Sequence, residues 1–124
     1  MACRHAFLSQ DCEYDDEETA RVQEIEIPCC MNLAMCLWKL SDLNACIQLC
    51  DRVLEMSPRH TKALYRRSQA LLETKSFSEA IRDLEKAVEF EPSNKLFRSS
   101  LDRARLMSAH HSSKAKKAFA TAFD

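Results

Sequence analysis

Apolar residues between positions 27 and 94 recur in a pattern that repeats every 34 residues. Moving the segment 27–60 along by 34 places Leu37 on Leu71, Leu43 on Phe77, Ile47 on Ile81, Leu54 on Val88 and Pro58 on Pro92. Within each unit, steps of three and four give two amphipathic helices, separated by a tight turn and closed by a proline that cannot continue the second. Units of this design bury their apolar faces only by stacking. The pattern therefore predicts an all-α superhelix of antiparallel helix pairs, with one concave face, built from repeats at 27–60 and 61–94.

The first unit's helices are expected at 28–40 and 44–56. Pro28 would sit in the first turn, where no backbone donor is needed. Leu33, Leu37 and Leu40 would form one apolar face, and Cys46, Ile47, Cys50 and Leu54 the buried face of the second helix. Ser41 and Asp42 read as the turn and Asn44 as a cap. The second unit repeats this at 62–74, with Leu64, Leu71 and Leu72 apolar, and at 78–90 after a turn at Lys75 and Ser76. Ser78 reads as its helix start. Small residues correspond where helices must approach, Ala34 with Ser68 and Cys46 with Ala80.

Beyond the repeats, a further helix from Asn94 carries Phe97, Leu101 and Ala104 on one face, as a terminal capping helix should. The HHSS at 110–113 is a point of weakness or a break. After it KAKKAFATAF resumes a helical pattern with Phe119 and Phe123 four apart. This basic tail is open to three readings: packed back, extended, or bound to a partner. At the other end, residues 1–10 have a short apolar face through Ala2, Ala6 and Phe7, followed by an acidic connector up to residue 26.

Composition narrows the function classes. The 124 residues make one small domain, and they contain no glycine, which removes glycine-rich phosphate loops and dinucleotide turns. Eighteen basic residues against nineteen acidic ones give no global charge for nucleic acid or a membrane surface. The ends are less even, with eight acids in 11–26 and seven bases in 95–117. They read either as solvated segments or as attractive to each other or to different partners. No apolar run is long enough to span a membrane and the N-terminus has no secretory pattern, so a cytoplasmic location is expected.

The odd count of seven cysteines, without a secretory context, reads as reduced thiols. Cys29, Cys30, Cys36, Cys46 and Cys50 lack zinc-finger spacing, and Cys30, Cys46 and Cys50 fall where the repeat buries residues. His110 and His111 have no acid or thiol at ligand spacing. No nucleophile has a base at motif spacing, so no enzyme activity, metal or cofactor is expected.

Asn32, Lys62 and Arg66 carry the chemistry that remains. Lys62 and Arg66 are one helical turn apart, on a face distinct from that of Leu64 and Leu71. Asn32 matches Arg66 under the 34-residue shift, so it belongs to the same wall one repeat earlier. Two cations and an amide suit a carboxylate ligand. On spacing alone, a solvated basic helix face explains the trio equally well.

MNLAMCLWKL and KALYRRSQALLETKSFSEAIRDLEKAVEFEPSN resemble the tetratricopeptide repeat domains of large FKBP-type immunophilins and related co-chaperones. The resemblance implies a protein-binding module that takes the EEVD tail of heat-shock protein 90, or in some relatives heat-shock protein 70, through a carboxylate clamp. It assigns Asn32 to the terminal carboxylate, Lys62 to the last aspartate and Arg66 to the adjoining peptide or acid. The closing KKAFATAF is similar to these proteins' last helix.

Two departures accompany it. The family's preceding repeat supplies a further lysine and asparagine, whereas residues 2–10 resemble only the end of that repeat. Two of five clamp residues are thus outside this chain, each charge-assisted bond being worth ~1.5–3 kcal/mol. The side of the first helix around Cys29 and Leu33 is also expected to lack a neighbour, which favours self-association or a missing partner segment. The alternatives to a chaperone-tail module are a scaffold for another protein or its own copy, and a non-catalytic part of a longer prolyl isomerase.

Overall fold

The computed structural model describes residues 15–122, and every regular element among them is a helix. In order these are α1 (Asp16–Lys39), α2 (Leu43–Met56), α3 (Thr61–Glu73), α4 (Phe77–Phe90) and α5 (Lys95–Ala122). Each helix packs on its neighbours in sequence, and α1 also touches α3. This is the stacked helix-pair superhelix expected from the 34-residue period. The expectations for residues 1–10 and for Phe123 lie outside the described residues.

The first helix differs most from the sequence expectation. α1 starts at Asp16, so the acidic stretch from there to residue 26 is helix rather than connector, and Pro28 lies inside a helix rather than in its first turn. The acids themselves explain the early start. Asp15 Oδ1 accepts the Glu18 N–H at 2.7 Å, and Asp16, Glu17 and Glu18 sit where the helix dipole favours negative charge. Farther along, Glu26 is buried and accepts from Arg52 Nε of α2 at 2.6 Å. Pro28 faces solvent, where its ring is tolerated at the loss of one backbone hydrogen bond.

Two expected caps are also corrected. Asp42, not Asn44, caps α2, by accepting the Ala45 N–H. Ser76, not Ser78, occupies the cap position of α4, and its hydroxyl pairs with Thr74 Oγ1 at 3.3 Å rather than with the helix. In both cases the helix starts one residue before the turn chemistry implied. α5 runs unbroken through 110–113, so the HHSS does not interrupt it.

The turns within the two units are the same turn, 34 residues apart. Ser41 and Lys75 have φ of 63° and 64°, the left-handed region usually given to glycine. At the first, the Asp42 N–H donates to Leu37 O at 2.9 Å and the Ser41 N–H to Trp38 O at 3.0 Å. At the second, Ser76 donates to Leu71 O at 2.8 Å and Lys75 to Leu72 O at 3.1 Å. These paired bonds satisfy helix-end carbonyls and reverse the chain without a glycine.

Cys30, Ala34, Cys46, Leu49, Cys50 and Val53 form the core of the first pair. Leu71, Leu72, Ala80, Leu84, Leu101 and Ala104 form that between α3, α4 and α5. Phe97, Leu101 and Ala104 are all buried, as a capping helix requires. In α1, by contrast, the packed face is Cys30 and Ala34. Leu33 and Leu40 of the expected apolar face point outward, 37% and 77% exposed. Burial raises the Cys46 thiol pKa and pushes that of Cys50 up to about 12, with Cys46 beside it, so both act as small apolar side chains.

Candidate functional site

The first helices of the pairs, α1 and α3, and the start of α5 wall a groove of about 620 Å³. Asn32 comes from α1, Lys62 and Arg66 from α3, and all three line it. Periodicity explains this meeting. Residues 34 apart occupy equivalent places in successive units, so Asn32 and Arg66 stand side by side, and Lys62 is one turn before Arg66 on the same helix. Asn32 and Lys62 are exposed, while Arg66 is half-buried.

The charge environment separates these cations from their neighbours. Arg67, one residue on, faces away and is fully engaged: Nε and Nη2 donate to Asp83 at 2.8 and 2.7 Å, and Nη1 to Asp51 at 2.7 Å. The hydrogen bonds it donates to Asp83, opposed by burial and reinforced by Asp51, hold its pKa above the ordinary arginine value. Arg67 is a strut between α2, α3 and α4. Lys62 and Arg66 have no carboxylate within ion-pair distance among the described residues. Their charge is left for whatever enters the groove.

Arg66 is instead held by an aromatic ring. Its guanidinium carbon lies 5.4 Å from the centroid of the Trp38 ring at the end of α1. Such stacking orients a cation without neutralising it. The half-buried Ile27, Met31 and Tyr65 and the buried Phe97 give the groove an apolar floor, and the exposed Met35 and Leu96 extend its apolar lining. Tyr65 and Phe97 touch at a ring separation of 5.6 Å, which ties α3 to α5 behind it.

Sequence reasoning missed Trp38, His60 and this floor. Trp38 meets Arg66 across a helix pair, and no spacing along the chain signals that contact. His60 lines the groove and also caps α3, its Nδ1 accepting the Ala63 N–H at 3.1 Å. Burial, then the nearby Lys62 charge, lower its pKa. A residue that lacks a cap signature but immediately precedes a helical pattern was the available clue.

Comparison with known proteins identifies the architecture. The tetratricopeptide repeat family matches residues 61–94 and, in a second form, residues 27–60, together more than half of the chain. The Bos taurus peptidyl-prolyl cis-trans isomerase FKBP4 is 30% identical over 119 residues, which is 96% of this chain but 26% of that protein. The Homo sapiens counterpart is 29% identical over the same lengths. The chain thus spans about a quarter of these relatives. Among solved structures, the C-terminal repeat domain of a Plasmodium falciparum FK506-binding protein superposes with a TM-score of 0.73, at 29% identity over 90% of this chain and 72% of that one. The first repeat domain of Spaghetti (RPAP3), bound to the HSP90 peptide SRMEEVD, gives 0.62 at 25% identity over 64% of each chain.

Proposed function

Because the chain belongs to the tetratricopeptide repeat family, we propose that its groove binds the acidic C-terminal tail of a heat-shock chaperone, of the EEVD type. The observation that carries this reading is the pair of cations, Lys62 and Arg66, which have no carboxylate partner among the described residues and stand beside Asn32 on the rim of an apolar-floored groove. A free C-terminal peptide ending in acid supplies carboxylates for the rim and an aliphatic side chain for the floor. Asn32 donates its amide N–H to the terminal carboxylate, Lys62 meets the last aspartate, and Arg66 meets the neighbouring acid or peptide oxygen. The Spaghetti domain bound to SRMEEVD supports the same class of ligand.

Trp38 is the chain's one tryptophan and stacks on Arg66, so its fluorescence reports occupancy of the rim. Titration with an EEVD-ending peptide should change that signal saturably. Lys62→Ala or Arg66→Ala should each weaken binding by roughly tenfold to a hundredfold, the loss of one charge-assisted bond. Amidating the peptide's C-terminus should weaken it similarly. No binding at hundreds of micromolar peptide would overturn the reading. The alignment to FKBP4 over nearly the whole chain favours a second, compatible reading, that this is the repeat portion of an FKBP-type isomerase. An isomerase assay on these 124 residues should then give only the uncatalysed rate.

A further inference from the structure

One face of α1 is built to be covered by a helix and is not, among the described residues. Ile25, Cys29, Leu33, Cys36 and Leu40 fall within an arc of about 80° and extend for about 22 Å. Ile25, Leu33 and Leu40 are 69%, 37% and 77% exposed, and both cysteines are exposed. None of the five carries a formal charge. The rest of the molecule shows what this face is for. The counterparts of Cys29 and Cys36 on α3 are Ala63 and Ala70, both fully buried in the core that contains Leu49, Cys50 and Val53 of α2. The counterparts of Cys29, Leu33 and Cys36 on α5 are Phe97, Leu101 and Ala104, buried beside residues of α4. In the two later units the middle of this face, at the counterparts of Cys29 and Cys36, lies under a neighbouring helix.

We propose that this face docks on the same face of a second copy, with the two α1 helices antiparallel about a two-fold axis. The spacing of the stripe selects that occupant. Its four outer members are symmetric about the midpoint between Asn32 and Leu33, so reversing the helix exchanges Ile25 with Leu40 and Cys29 with Cys36 and leaves Leu33 about half a residue from the centre. Two copies therefore present bulky residues opposite bulky ones at the ends and cysteine opposite cysteine inside, with Leu33 near the centre. Antiparallel helix dipoles favour this orientation, and an isologous pair closes at a dimer.

The register makes the test specific. Cys29 of one copy lies opposite Cys36 of the other, whereas the same two residues within one helix are about 10 Å apart along its axis and cannot bridge. The chain, with Cys3 and Cys12 changed to serine, is sedimented over a concentration series under reduction. A reversible monomer–dimer equilibrium is expected. Leu33→Glu should raise its dissociation constant by at least about tenfold without shifting the thermal melt of the helices. Glutathione disulfide is then added as oxidant: each new S–S bond forms from two thiols, and two electrons and two protons pass to the oxidant to give two glutathione thiols. Peptide mapping should find Cys29 joined to Cys36.

Monomer at all concentrations to about a millimolar would overturn the proposal, as would a dimer indifferent to Leu33→Glu. Bridges joining like cysteines would overturn the antiparallel arrangement. If dimer appears only after residues 1–14 are removed, the chain's own N-terminus covers the face and the second copy does not.

Discussion

At the scale of single residues, local geometry overrides type. His60 can cap α3 only while Nδ1 is unprotonated, because an imidazolium has no acceptor to offer the Ala63 N–H. Its pKa is lowered in the folded chain, so the unfolded state binds the proton more tightly. The stability this contributes is present above the ordinary histidine value, ~6.5, and is lost as pH falls through it toward the folded value. Thermal melts between pH 7.5 and 5 should show this decline, and His60→Asn, which keeps a cap acceptor, should flatten it. Lys75 offers a test of opposite sign. A side chain at φ of 64° is strained where glycine is not, so Lys75→Gly should stabilise by about 1 kcal/mol in urea denaturation. Asp83 is buried against Arg67, so Asp83→Ala should cost about 2–3 kcal/mol by removing two of that cation's charge-assisted hydrogen bonds and leaving it Asp51 alone.

At the scale of elements, the apolar period locates the five helices of the described residues but places the start of the first too late. The acidic run reads as a solvated segment, yet from Asp15 on its acids are a capped helix start with an i,i+4 pair between Glu17 and Arg21. Pro28 points to a helix beginning because the first turn is the commonest helical place for proline. Inside α1 it removes one backbone bond, and tertiary support from α2, including the Glu26–Arg52 pair, holds the helix through it. Pro28→Ala should accordingly raise stability, by up to about 3 kcal/mol, in the same denaturation experiment. Pro28 also lines the groove, so the substitution should be scored for peptide affinity as well.

At the scale of the whole molecule, stability and binding both come from stacking. α5 serves the array through its first half, where Phe97, Leu101 and Ala104 are buried; beyond Ser108 it is exposed. Truncation after Ser108 should leave the melting temperature nearly unchanged. Leu101→Ala should cost about 2–5 kcal/mol, because it opens a cavity over Leu84 and Ala80. A saturating chaperone-tail peptide should raise the melting temperature, by an amount equivalent to about 2.7 kcal/mol at a hundred times its dissociation constant. No helix among the described residues is long and apolar enough to cross a membrane.

The sequence by itself determined the repeat, because a 34-residue period constrains which residues can be buried together wherever the chain is found. It also determined that Asn32, Lys62 and Arg66 share a wall, since equivalent positions in successive units stand side by side. Only the tertiary structure decided which cations are spent and which are not. Arg66 and Arg67 are adjacent and chemically identical, yet one locks to Asp51 and Asp83 and the other stacks on Trp38 beside an open groove. That difference depends on which way each side chain leaves the helix and on what the neighbouring helices bring to it. The same holds for the stripe on α1: its apolar residues are legible in the chain, but their exposure depends on which neighbours pack against them.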